Sequence, residues 1–369
     1  MLHKSVQLNF CRDVRSHLTE NKQSDTQPFF TIGVPTFNRL DLLREALNSV
    51  LAQDFTDFEI IVGNDYTSEK LTVDLIGITD PRIRIINHPL NLREVGNMNS
   101  LLELALGRYF TWLFDDDLYE PNFLQTAHDC LEKAGFPHAL FSSFRMLKVG
   151  EKFESRKVNY NSKVELTGRD FLNRYSARNP EIASTCGLFD TAALRSIVGG
   201  VEELSASTYG YHCEYLFLAK CALLNRIIYI DAPFYVFRRH ADSASESTLD
   251  LENYLIAGQE LIQRCAVILR NPTLVDNFSD NLFKFSTIHI ITFAYLSSRF
   301  EFSLNKFGIG TFYRALYLHW NESLRTRELY ISQGGDNTFS NGLAFIKVNI
   351  FCWYLIVRHL AHFFNRGRR

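Results

Sequence analysis

Four short apolar runs punctuate residues 29–117, and the segments between them carry helical spacing. The runs are FFTIGVP from Phe29, FEIIVGND, IRIINHP and YFTWLFDDD. Each is β-prone and stops on proline or on polar residues, as a buried strand does. Between the first two, LLREALNSVLAQ sets Leu43, Ala46, Leu47, Val50 and Leu51 on one face of a helix. TSEKLTVDLIGIT is expected to be a second helix, capped by Thr67 or Ser68 with Glu69 in its first turn. Val95 to Leu106 reads as a third. Strand and helix alternating at this pace make βαβ units and a mainly parallel sheet. Ligands of open sheets gather at the carboxyl ends of the strands. Thr36-Phe37-Asn38, Asn64-Asp65 and Asp115-Asp116-Asp117 are therefore expected on one rim.

After residue 121 the pattern loosens. Asn122 to Ala134 reads as a helix, ALFSSFRMLKV as a strand, and residues 151–165 as a polar, exposed stretch. Thr167 is placed to cap a helix through FLNRYSAR. HCEYLFLAKCALL is a further amphipathic helix, followed by the strand RIIYIDAPFYVF and the segment RRHADSAS. From about Leu249 only helical signals remain. The expected organisation is a polar extension at 1–26, an α/β domain at 27–248 and a helical region at 249–369.

A net charge of −2 asks for no nucleic-acid partner. Seven scattered cysteines with no CxxC pair suit a reducing cytosol better than a disulfide framework or a zinc site. The first 26 residues lack the apolar stretch of a secretory signal.

Three adjacent carboxylates at the end of an apolar strand repel one another and resist desolvation. A divalent cation relieves both, and magnesium or manganese is satisfied by one or two carboxylates plus phosphate oxygens. The plain alternative is an exposed acidic turn before Pro121. Asp65 is placed to accept from a nucleobase or a ribose, or else to cap a helix. Phe37 is placed to stack on a planar ring, or, among 31 phenylalanines, to fill the core. Asn38 and Arg39 beside it are candidate ligand contacts.

VPTFNR, a helix ending SVLAQDF, FEIIVGNDYTSE and GRYFTWLFDDDLYEPNFL resemble, in order and spacing, the motifs of family-2 glycosyltransferases. The resemblance spans residues 30–124 and implies a GT-A fold, a Rossmann-like mixed sheet flanked by helices. It implies a nucleotide-sugar site formed by Pro35, Phe37, Asn38, Arg39, Asp65 and Asp115, with UDP-sugar as the expected donor. Asp116 takes the place of the metal-binding carboxylate, with Asp117 as a secondary ligand and Mn2+ or Mg2+ as the cofactor. Two positions depart from the pattern: Asn64 replaces the usual first acid and Tyr66 the usual glycine.

In the second half the resemblance is looser. It sets Glu214, at the start of LFLAKCALL, where the family carries its catalytic base, with His212 as a fallback. A base there would take the proton of the attacking acceptor hydroxyl; a plain helix-opening acid is the alternative. Arg238-Arg239-His240 match an aromatic-R-x-H segment, so Arg238 is a candidate for phosphate charge and His240 for the metal shell. A basic surface loop is the alternative. The resemblance alone implies inversion by direct displacement.

GLAFIKVNIFCWYLIV, followed by RHLAHFFNRGRR, is too short and too interrupted to span a bilayer. Trp353, Tyr354 and the flanking arginines suit a helix lying in a membrane interface, or one packed on protein. The expected activity is metal-dependent sugar transfer to a glycan or lipid-linked acceptor, in the cytoplasm or at the inner face of the cell membrane, for surface polysaccharide synthesis. Two rivals stand beside it. A dinucleotide oxidoreductase is disfavoured because no G-x-G-x-x-G follows the first strand. A non-catalytic nucleotide-sugar-binding scaffold on the same fold is the other.

Overall fold

The computed structural model describes residues 27–148, 151–160, 162–176, 182, 185–239, 250–304 and 309–366. The chain divides into two compact units. One is Met1–Glu202 with Lys220–Ser243; the other is Glu203–Ala219 with Ala244–Arg369.

The first unit is built on one nine-stranded mixed sheet. Its parallel half orders β3 (Ile83–Asn87), β2 (Phe58–Asn64), β1 (Phe30–Thr36) and β4 (Tyr109–Trp112) side by side. The other half continues with β8 (Leu188–Asp190), β6 (Ala139–Leu147) and β9 (Ile227–Arg238). β5 (Leu118–Tyr119) and β7 (Lys163–Leu166) both pair with β9. Helices cover both faces, so β1, β2 and β4 are buried along their whole length; this is why they read as unbroken apolar runs rather than alternating ones. α1 (Leu40–Leu51) buries Leu43, Ala46, Leu47 and Val50 against the sheet. α3 (Arg93–Leu104) and α4 (Phe123–Lys133) bury Leu101, Leu102, Leu124 and Leu131 likewise.

Two expectations need correction. The helix anticipated over residues 67–79 shrinks to one turn, α2 (Val73–Ile76). Its cap is Thr72, whose hydroxyl accepts from the Leu75 amide, and Gly77 ends it at φ +72°. Residues 66–71 are held out of the helix by two asparagines. Asn64 Nδ2 donates to the Glu69 carbonyl at 2.9 Å, while Asn87 accepts from the Leu71 amide at 2.8 Å. The stretch 151–165, expected to be polar throughout, contributes β7, which pairs residue for residue with Ile227–Ile230 of β9. α5 (Gly168–Ser176) begins where expected, with the Asp170 amide donating to Thr167 Oγ1 at 3.1 Å.

The second unit is helical. It takes α6 (Cys213–Cys221) as far as Ala219, then α7 (Leu251–Leu269), α8 (Phe278–Leu304), α9 (Ile309–Ser332) and α10 (Phe339–Arg366). α8 packs against α7, α9 and α10. The six cysteines among the described residues are buried and form no disulfide.

Candidate active site

The carboxyl ends of β1, β2 and β4 meet at one rim because the three strands are parallel neighbours in register, with Thr36 beside Asn64 and Gly33 beside Trp112. β4 pairs β1 only as far as Gly33, so Pro35 lies where that neighbour has ended and a missing amide donor is tolerated. Immediately after Thr36 the chain turns at Asn38, which holds φ +54°.

The three acids after β4 have three different environments. Asp115 is buried. Its Oδ2 accepts from Thr36 Oγ1 at 2.7 Å, and its Oδ1 lies 3.4 Å from Arg39 Nη1. Burial, reinforced by the charge of Asp116, pushes its carboxyl up to about 6. Asp116 leaves 18% of its side chain exposed, and its Oδ2 sits 3.0 Å from the same Arg39 nitrogen. The Arg39 guanidinium thus occupies the position of a cation between two carboxylates. Asp117 faces the opposite way. Its oxygens accept from Tyr235 Oη at 2.6 Å and from the Arg238 amide at 2.9 Å, and burial holds its carboxyl well above the usual range. Asp117, expected as a secondary metal ligand, ties the end of β4 to β9 in this arrangement.

Arg238, expected to hold phosphate charge, packs below the same cluster. Its guanidinium donates to the Asp116 carbonyl and pairs with Glu45 of α1. A third contact reaches the Leu42 carbonyl at 3.4 Å. The side chain is 9% exposed; it is a strut beneath the acid cluster, and Arg39 is the cation on the rim itself. His240 lies outside the described residues.

At the end of β2, Asp65 is buried, and its Oδ1 accepts from the Leu92 amide at 2.6 Å. It shapes the entry to α3, where Arg93 takes φ +64°. Burial raises its carboxyl to about 6, against the lowering effect of the Leu92 and Arg93 amides. Phe37 is exposed by 49%, and so is a rim residue rather than a core one. Its ring meets half-buried Tyr66 edge to face, with centroids 5.3 Å apart. Asn64, the departure from the family's usual acid, donates to Asn87 Oδ1 at 2.8 Å while its own Oδ1 accepts from the Tyr66 amide. An ionised carboxylate accepts only and cannot make the first of these bonds.

Glu45 was not singled out by sequence, Thr36 was placed only on the rim, and Tyr66 was noted only as a departure from the family's glycine. Tyr66 carried the one usable signal, an aromatic residue following Asp65 at a strand end. Glu214 falls in the first turn of α6, half-buried, directly after His212 and Cys213.

Residues 31–195 match the family model described as Glycosyl transferase family 2. That segment, rather less than half of the chain, is similar to glycosyl transferase family 2. The family-2 segment is similar to a putative colanic acid biosynthesis glycosyl transferase, WcaA, of Escherichia coli K12. The two are 36% identical over 99 residues, 26% of this chain and 36% of that protein. It is also similar to the GalNAc(5)-diNAcBac-PP-undecaprenol β-1,3-glucosyltransferase of Campylobacter jejuni, at 35% identity over 153 residues, 39% of this chain and 48% of that protein. The chain therefore spans half or less of the length of these two curated relatives. Among solved structures, Staphylococcus aureus TarS 1–349 in complex with UDP-GlcNAc superposes with a TM-score of 0.59 at 19% identity. That alignment covers 82% of this chain and 88% of the other. The family-2 segment thus lies in a GT-A fold, a central sheet flanked by helices with a helical C-terminal region.

Proposed function

We propose that this protein transfers a sugar from a nucleoside-diphosphate sugar, with UDP as the favoured nucleotide, to a hydroxyl of a lipid-linked or polysaccharide acceptor. The observation that carries the reading is the rim itself, where Asp115 and Asp116 share the Arg39 cation beside Phe37, Tyr66 and Asp65. The names of the relatives, glycosyl transferases of colanic acid and of an undecaprenol-linked saccharide, support the acceptor class.

In this reading Phe37 and Tyr66 face the base, Asp65 accepts from its N–H groups, and Asp115 meets the ribose. Hard anionic oxygens already balanced by one cation suit a divalent metal. No group of three or more His, Cys, Asp or Glu side chains converges on a metal position among the described residues, so substrate oxygens would complete the shell. Asp116 would hold the ion, Mn2+ or Mg2+, which when bound neutralises charge on the departing diphosphate. Arg39 adds positive charge on the same side. Glu214 takes the proton of the attacking hydroxyl, and displacement from the opposite face inverts the anomeric carbon, as the family resemblance implies.

The protein also works at a lipid surface, the inner face of the cell membrane. No helix among the described residues is long and apolar enough to cross a membrane. On α10, however, Leu343, Ile346, Ile350, Tyr354 and Val357 recur every three or four residues and are all exposed, with exposed Lys347 and Arg358 alongside. An apolar stripe edged by cations suits anionic headgroups.

The test of the donor site is nucleotide binding by calorimetry with and without Mn2+, for the native protein and Asp116→Ala. The proposal requires metal-dependent UDP binding that the substitution abolishes. Binding indifferent to both metal and substitution removes the donor-site assignment.

A further inference from the structure

The helical unit contains a buried polar chain of three residues widely separated in sequence. His212 Nε2 lies 3.3 Å from His289 Nδ1, and His289 Nε2 lies 2.8 Å from Glu322 Oε1. Thr326 Oγ1 donates to the same Glu322 oxygen at 3.3 Å. All four side chains are buried. One arrangement satisfies every contact: His212 donates from Nε2–H to His289 Nδ1, and His289 donates from Nε2–H to the Glu322 carboxylate. Burial keeps the His212 imidazole far below its usual range and hence neutral.

Room for this chain has been made deliberately in the fold. A Cβ placed on Gly258 of α7 would fall 2.0 Å from two atoms of the His289 ring. The Tyr254 ring, one turn earlier on α7, lies 4.6 Å from the ring of His212. A buried ionisable group costs several kcal/mol unless it is fully partnered, so a fold that retains three of them, and a glycine to admit them, is holding something in place.

What is held is the start of α6. The His212 carbonyl accepts from the Tyr215 and Leu216 amides at 3.1 and 3.3 Å, so His212 is the residue on which the helix begins. It does so at φ +60°, where a non-glycine residue is strained by about 1–2 kcal/mol. Glu214 follows two residues later. The segment Glu203–Ala219 also clusters with the helical unit, although it lies in sequence between two strands of the sheet.

We propose that His289 and Glu322 are positioning residues: through His212 they fix the first turn of α6 and with it the carboxylate of Glu214. This rests on the reading of Glu214 as the base, and the experiment separates the two claims.

The full-length chain is compared with Gly258→Ala, Glu322→Leu, Glu322→Gln and Glu214→Gln, each first shown by circular dichroism to be folded. Two readouts are taken: hydrogen exchange of the amides of residues 213–216, and sugar-transfer kinetics alongside UDP affinity. Gly258→Ala and Glu322→Leu should raise exchange at these amides tenfold or more and lower kcat at least tenfold, with UDP affinity unchanged. Glu322→Gln, which still offers His289 an acceptor, should restore most of the protection. If Gly258→Ala fails to fold, the contrast between Glu322→Leu and Glu322→Gln decides. Native exchange and native kcat in Glu322→Leu overturn the positioning role. Full transfer by Glu214→Gln overturns the base reading alone, because the exchange readout still judges the His212–His289–Glu322 chain.

Discussion

Two regions of this protein bury carboxylates, and they keep them stable by different means. At the strand rim, Asp115 and Asp116 rest against a single guanidinium, partly open to solvent. In the helical unit, Glu322 is enclosed by an imidazole and a hydroxyl. The rim retains spare acceptor capacity and a charge that a second cation can share. The helical cluster is buried, with His289 and Thr326 converging on one Glu322 oxygen. The first arrangement is suited to exchange partners during a reaction, the second to keep a backbone still. The lesson lies in exposure: the carboxylate open to solvent is the one a ligand can reach, and the enclosed one is held by its neighbours.

The largest effect should come from breaking the open side. Asp116→Ala is expected to lower the rate of sugar transfer by about a thousandfold, the scale of losing one electrostatic contact to the departing group, measured as kcat on a donor found by screening nucleotide-sugars. Asp117→Asn sharpens the contrast within the acid cluster. It offers one acceptor oxygen where Asp117 offers two, so the Tyr235 hydroxyl must turn to accept or lose its partner. That should cost about 1–3 kcal/mol of stability in denaturant unfolding while leaving the metal response of UDP binding intact.

Acidification should drive the two regions in opposite directions. His319 of the helical unit is buried with neither ring nitrogen partnered, and burial lowers it to about 4; His212 is lowered as well. Between pH 6.5 and 4 the unfolded state therefore binds more protons, and the helical unit loses stability as pH falls. Asp65 and Asp115 are raised to about 6, so between pH 3.8 and 6 the folded rim binds more protons and gains stability as pH falls. His88, lowered by burial beneath the same strands, offsets part of that gain. Each unmatched proton contributes about 1.4 kcal/mol per pH unit. Hydrogen exchange at pH 7 and pH 5 should show α8 and α9 opening more readily at the lower pH, with β1 and β2 changing less. Parallel changes in both units would sink the comparison.

The smallest effects belong to the aromatic edge. Phe37→Ala and Tyr66→Ala should each weaken UDP binding by roughly 1 kcal/mol, about fivefold, read by calorimetry. An Asp65→Asn variant should flatten the pH dependence of that binding near pH 6.

The rim was legible because its residues are adjacent in sequence. FFTIGVP, FEIIVGND and YFTWLFDDD each carry a strand and its functional end in one unbroken word, so a period and a terminus were enough to place Phe37, Asp65 and Asp116 together. The partners of Asp117 and Arg238 were not legible. Tyr235 and Glu45 lie 118 residues from Asp117 and 193 residues from Arg238 respectively, and only the strand pairing of β5 with β9 brings such distances together. The over-long helix at 67–79 failed for a related reason: Asn64 and Asn87, on two different strands, pull its first half into a turn. The helical unit's polar chain was the least visible, since His212, Gly258, His289 and Glu322 are each unremarkable in their own segment.

The excursion of Glu203–Ala219 into the helical unit has a consequence for how the chain is made. A ribosome delivers β8, then this segment, then β9, and only much later α8 and α9. The sheet has all its strands once Arg238 emerges, yet His212 must then wait through another 84 residues of synthesis for Glu322. During that interval the sheet has all its strands, while the start of α6 still lacks its contact with His289 and, through it, Glu322.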